Sequence, residues 1–223
     1  MKVLDVNSIE SIELVNNDNR VPVNLFDFIY VNHSVISDLT VNGLNVTYKD
    51  EIPQVVLDRI KIILSKLVIK NNITEELNKI QSELLIDKDV LGVHLRLGSD
   101  MNFWHGNIYG MKYLNDYVNA IDTEFNKGIY RKIYVASDND VALSRLMDIY
   151  GDKLLYYKFL RSKKEEITIE EIGNYLSDEQ MMVDTFIDML LLSKTGQLIH
   201  RVSNFANMVK MYSYTLPNKT ILI

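Results

Sequence analysis

The stretch Val90-Leu91-Gly92-Val93-His94-Leu95-Arg96-Leu97 decides the fold. Leu91, Val93, Leu95 and Leu97 alternate with Val90, Gly92, His94 and Arg96, and a period of two is that of a β-strand. Upstream the period is helical. Pro53 suits a first helical turn, and Val56, Ile60, Ile63, Leu64 and Leu67 follow it on one face. A second helix is expected over Thr74 to Leu85, with Leu77, Ile80 and Leu84 on its apolar side. Downstream, helix and strand alternate to the end. Helices are expected around Leu114 to Phe125, Leu143 to Tyr150 (closed by Gly151), Ser177 to about Leu192, and Ser203 to Tyr214. Strands are expected at Ile133 to Ser137, Leu154 to Tyr157, Leu198 to His200 and Thr220 to Ile223. Strands separated by helices of this length form right-handed crossovers, so the expected fold is α/β, a Rossmann-like parallel sheet flanked by helices.

Residues 1–50 carry little pattern and are expected to form a reduced amino-terminal segment of short strands and loops; residues 51–223 form the Rossmann-like domain. Among 223 residues, Lys and Arg number 24 and Asp and Glu 30, giving a net charge of −6. That balance offers no basic footprint for nucleic acid or an anionic membrane. The absence of cysteine excludes disulfides, zinc–thiolate sites and thiol catalysis. The start, Met1-Lys2-Val3-Leu4-Asp5, lacks the order of a signal peptide, and the most apolar segment, Phe186 to Leu192, is too short to span a membrane and contains Asp188. A soluble, cytoplasmic protein is expected.

Parallel sheets bind ligands at the carboxyl ends of their strands, and four polar features fall there. His94 and Arg96 share one face at the end of an otherwise aliphatic strand. A buried guanidinium needs an anion, either a core carboxylate or a ligand phosphate gripped by its fork of donors. Asp138, Asn139 and Asp140 follow the next strand, where they either cap a helix or, as Asp138-x-Asp140, hold a divalent cation. Asp188 lies within an apolar helix and requires a partner, Arg96 or Arg201 in one reading, the edge of a base in another. Ser203, Asn204 and Phe205 open the helix after a further strand, where Ser203 is an ordinary cap and the helix start an anion site.

Together these features resemble the GDP-fucose-dependent fucosyltransferase superfamily, which includes the nodulation and core α-1,6-fucosyltransferases and the protein O-fucosyltransferases. Gly92-Val93-His94-Leu95-Arg96 followed by Asp100 is similar to its first motif, and Ile133-Tyr134-Val135-Ala136-Ser137-Asp138-Asn139 to its second. Phe186 to Ser193 and Leu198 to Phe205 are similar to its third. Leu97 stands where several members have a second Arg, Asn139 where the second Asp is usual, and Asn204 where a second Ser is usual.

The resemblance implies the donor-binding lobe of a GT-B fold, holding a GDP-sugar, GDP-fucose above all, with no essential metal and no cofactor. Arg96 would neutralise the β-phosphate, His94 and Asp188 contact guanine or ribose, Ser203 and Asn204 hold the diphosphate, Phe205 pack near the base, and Asp138 orient the nucleotide side. The implied reaction is inverting transfer to a glycan or protein hydroxyl, which needs a base; the loop after the first motif offers Asp100 and His105, of which His105 has the suitable intrinsic pKa. Because only residues 1–50 precede the first helix, the acceptor lobe is expected to be reduced or supplied by a second chain. The alternative is a non-catalytic nucleotide-sugar-binding module.

Overall fold

A computed structural model describes residues 40–41, 44–45, 54–64, 68–96, 111–158, 179–201, 203–213, 216–217 and 220–223. In chain order the elements are β1 (Thr40–Val41), β2 (Leu44–Asn45), α1 (Gln54–Leu64), α2 (Asn71–Leu84), β3 (Val90–Leu95), α3 (Leu114–Phe125), β4 (Lys132–Ser137), α4 (Asp140–Tyr150), β5 (Leu154–Leu155), α5 (Glu179–Leu192), β6 (Gln197–His200), α6 (Asn204–Tyr212) and β7 (Ile221–Leu222). Single 3₁₀ turns lead into α3 at Met111–Tyr113 and follow α4 at Gly151–Lys153. β1 and β2 pair antiparallel. The other five strands form one parallel sheet in the order β5-β4-β3-β6-β7.

The alternation read from the sequence divides the two faces of this sheet. Leu91, Val93, Leu95, Ile133, Val135 and Ile199 pack with Leu114, Tyr117 and Ile121 of α3 and Ala142, Leu143 and Leu146 of α4. On the other face, Val90, Tyr134, Ala136 and Leu198 pack with residues of α2, α5 and α6. All six residues of β3 are buried, so the strand is covered from both sides. Each such aliphatic side chain contributes about 1.5–3 kcal/mol. A smaller cluster of Leu57 with Met211 seats α1 on α6.

Several elements are shorter or longer than the sequence pattern suggests. The helix expected from Thr74 starts at Asn71 and is closed by Leu85 in a left-handed conformation, φ 53°, its N–H donating to the Gln81 carbonyl. The strand expected over Leu154 to Tyr157 keeps two residues, because the chain turns off the sheet and Tyr157 directs its hydroxyl to Asp184 and Glu76. The helix expected to reach Tyr214 ends at Tyr212.

The strand order sets the position of the site. From β3 the chain runs outward through β4 and β5, crosses back through α5, and runs outward the other way through β6 and β7. α3 leaves β3 on one face of the sheet and α6 leaves β6 on the other. The carboxyl ends of β3 and β6 therefore form a topological switch point, the place at which open parallel sheets bind ligands.

Two glycines permit the close approach of β3, β6 and the turn between α5 and β6. A Cβ on Gly92 would collide with Thr195 Oγ1 and lie 3.0 Å from the Gln197 carbonyl oxygen, and one on Gly196 would be driven into the Lys88 carbonyl oxygen. The Gly196 N–H donates to the Val90 carbonyl at 3.0 Å, so that junction has no room to shift. Gly92→Ala and Gly196→Ala should each cost about 1–3 kcal/mol of stability. Gly196→Ala should be the worse, because its obstacle is backbone rather than a side chain. Urea midpoints measured at unchanged m-value test the order; a wild-type midpoint for Gly196→Ala would contradict it.

Candidate functional site

His94 and His200 occupy paired register positions at the carboxyl ends of β3 and β6. His94 is 6% exposed and meets two residues of the third motif. Its ring stacks on Phe205 with centroids 4.5 Å apart and an interplanar angle of 26°. Its Nδ1 lies 3.3 Å from Ser203 Oγ. Ser203 is also the N-cap of α6, its hydroxyl oxygen accepting the Ala206 N–H at 3.0 Å. One side chain thus ends an orphan helix donor and reaches across to the neighbouring strand. Burial first, then the Arg96 guanidinium and His200, hold the His94 imidazole well below its ordinary pKa. His94 is neutral at pH 7.

Arg96 follows directly after β3. Its backbone N–H donates to the Tyr117 hydroxyl at 3.3 Å, and its Nη1 donates to Asp138 Oδ2 at 2.5 Å. Both side chains of this pair are partly open, at 29% and 21% exposure. The cap of α4 is Asn139, whose Oδ1 accepts the Ala142 N–H at 2.9 Å. A neutral residue therefore serves the helix, and Asp138 is left for the guanidinium. The other oxygen of that carboxylate, Oδ1, is buried without a hydrogen-bond partner among the described residues.

Asp188, 3% exposed, accepts a short hydrogen bond from the Tyr134 hydroxyl. Tyr134 stands opposite Gly92 in the register of β3 and β4. Arg201, next after β6, pairs with Asp116 at 2.6 Å and lies over the Tyr113 ring at 4.2 Å from its centroid. Asn204 is the first residue of α6. Asp100 and His105 lie outside the described residues. The structure thus brings His94, Ser203 and Phe205 together and Arg96 and Asp138 together, while Asp188 is joined to the Tyr134 hydroxyl.

Sequence reasoning did not single out Tyr117, Tyr134 or His200. Tyr117 and Tyr134 are wholly buried and each directs its hydroxyl to a site residue. Their signal was a tyrosine at an apolar-periodic position, where the hydroxyl needs a partner. Among the described residues no helix is long and apolar enough to cross a membrane, and no group of three or more His, Asp or Glu side chains is placed to hold a metal ion.

No protein-family profile matches the chain. No curated protein matches it either. Solved structures do. The chain is similar to NodZ alpha-1,6-fucosyltransferase soaked with GDP-fucose, at 15% identity and a TM-score of 0.49 over 70% of this chain and 47% of that one. The fucosyltransferase NodZ from Bradyrhizobium matches at 16% identity and a TM-score of 0.47, over 68% of this chain and 45% of that one. POFUT1 in complex with GDP-fucose matches at 14% identity and a TM-score of 0.48, over 75% of this chain and 49% of that one. The chain spans about half the length of these structures.

The depressed pKa of His94 has a consequence for stability. The native state binds fewer protons at this ring than the unfolded chain, whose imidazole titrates near its ordinary value of 6.5. The stabilisation is complete above that pH and declines as pH falls below it, by up to about 1.4 kcal/mol per unit, until the native pKa is reached. Urea midpoints at pH 7.5 and 5.5 should therefore differ more for the wild type than for His94→Gln. Equal differences would mean that His94 is not the buried neutral group described.

Proposed function

We propose that the chain is the donor-binding part of a glycosyltransferase that uses a GDP-sugar, GDP-fucose by its motifs, and transfers the sugar with inversion to a glycan or protein hydroxyl. One observation carries this reading. Residues from the three motifs stand at adjacent strand ends: His94 at the end of β3 against Ser203 and Phe205 at the start of α6, and Arg96, just after β3, against Asp138, just after β4. On this reading residues 51–223 form the donor-binding unit.

Glycosyl transfer develops negative charge on the departing diphosphate, and fixed cations and N–H groups lower that barrier. Arg96 supplies the cation and the first turn of α6, including Asn204, the N–H groups. Among the described residues Arg96 uses only Nη1 on Asp138, so Nε and Nη2 are left for phosphate oxygens while Asp138 keeps the guanidinium in place. His94, Phe205 and Asp188 serve the nucleoside side. His105 is the proposed base for the acceptor hydroxyl. The acceptor is held by the amino-terminal residues or by a second chain. The donor is a substrate, and the reaction is proposed to need no metal or cofactor.

A thermal-shift panel of GDP, UDP, CMP and their sugars tests the reading. GDP and GDP-fucose at 100-fold their Kd should stabilise the protein by about 2.7 kcal/mol. Arg96→Ala should weaken GDP binding by roughly 10- to 100-fold, the loss of a charged hydrogen bond. Stabilisation by UDP and not GDP, or unchanged GDP binding by Arg96→Ala, would overturn it. Transfer should survive EDTA; its loss would point to a cation at Asp138 and Asp140. GDP binding without transfer to any of a panel of glycans and peptides would favour a non-catalytic module.

A further inference from the structure

The contact between Ser203 and His94 decides which hydrogen-bonding face His94 offers to a ligand. Ser203 Oγ has two partners among the described residues, the Ala206 N–H, which donates to it, and His94 Nδ1. Among the described residues the hydroxyl proton therefore has one acceptor, the Nδ1 lone pair. Were Nδ1 protonated instead, both neighbours would donate to Oγ and the hydroxyl proton would face no acceptor among the described residues. Ser203 is partly buried and packs against the buried His94 ring, so that arrangement gives up a hydrogen bond which the Nε2–H form makes. His94 then carries its proton on Nε2, a nitrogen with no partner among the described residues.

His200, at the paired position of β6, is held the opposite way. Its Nδ1 is 2.9 Å from the Arg201 carbonyl, which only accepts, so Nδ1 carries the proton. Its Nε2 then accepts from Thr220 Oγ1 at 2.7 Å. Two neighbouring imidazoles at one sheet edge thus have opposite tautomers, one turned into the fold through both nitrogens and one with a single nitrogen left over.

We propose that Ser203 is a positioning residue that holds His94 as the neutral Nε2–H tautomer, so that the end of β3 offers a hydrogen-bond donor to an acceptor oxygen of the bound nucleotide. The ligand half of this rests on the function proposed above; the tautomer half does not. The stack on Phe205 fixes the ring plane, and Ser203 fixes the proton within that plane. Asp or Asn would cap the helix equally well. Of the two, Asp accepts but does not donate, so the cap requirement alone does not select serine.

The 223-residue chain, labelled with ¹⁵N-histidine, gives the test. It has four histidines, and His94→Gln assigns the relevant signals. Long-range ¹H–¹⁵N correlations at pH 7.5 should show His94 protonated on Nε2 and His200 on Nδ1. Ser203→Thr should keep the His94 pattern, and Ser203→Asp should move the proton to Nδ1 while still capping α6. A wild-type His94 protonated on Nδ1, or a pattern unmoved by Ser203→Asp, overturns the proposal. GDP binding supplies the second readout: Ser203→Ala should raise the Kd by about 3- to 10-fold, as for one neutral hydrogen bond, and Ser203→Thr should restore it. An unchanged Kd in Ser203→Ala overturns the ligand half. A wild-type chain that binds no GDP overturns the functional reading and the ligand half with it, while the free-protein spectrum decides the tautomer half alone.

Discussion

A guanidinium at the end of a fully buried strand is the constraint around which the sheet edge is arranged. Arg96 emerges from six buried residues of β3, and its partly covered charge is compensated by an anion close by. Asp138 supplies one from the adjacent strand, because β3 and β4 run parallel with Leu95 beside Ser137, so the next residues of both chains leave the sheet side by side. That arrangement leaves the cap of α4 to Asn139. An aspartate at position 139 would put a second carboxylate beside the first, whereas the amide accepts the helix N–H and adds no charge.

Much of this was legible in the sequence because burial on both faces of a parallel strand leaves a simple pattern. The alternation from Val90 to Arg96 placed β3 and the side on which each residue lies, and the core clusters divide the residues of the strand in the same way. The helix starts at Asp140 and Asn204 were legible from their capping residues. Element ends were less so, since they depend on tertiary partners: β5 stops where Tyr157 finds two carboxylates contributed by helices distant in sequence.

Side-chain partners at the site were the least legible part. Composition showed that Asp188 needs a donor, and the sequence reading named two arginines. The hydroxyl of Tyr134, a residue that reads as plain core, is a donor that the structure puts there. Periodicity assigns a residue to a face but does not distinguish a tyrosine that only packs from one whose hydroxyl reaches a carboxylate 54 positions along the chain. The same holds for Ser203, legible as a cap from its neighbours but linked to His94 only through the pairing of β3 with β6, which no local pattern encodes.

The charges at the edge bear on how an anionic ligand would be received. Arg96 and Arg201 each have a carboxylate partner, Asp138 and Asp116, so each pair is neutral as a unit. The two pairs differ in openness: the Arg201 side chain is 10% exposed and covered by Tyr113, whereas that of Arg96 is 29% exposed. Asp138 depends on Arg96, having one oxygen bonded to it and the other buried without a partner among the described residues. A phosphate that drew the guanidinium away altogether would leave that partly covered carboxylate without its ion-pair partner. A phosphate bound to the free edge of the fork, with Nη1 still on Asp138, avoids it. The geometry therefore favours a ligand that adds to the ion pair over one that replaces it, and under the proposed function Asp138 acts by keeping Arg96 oriented while the diphosphate takes the remaining donors.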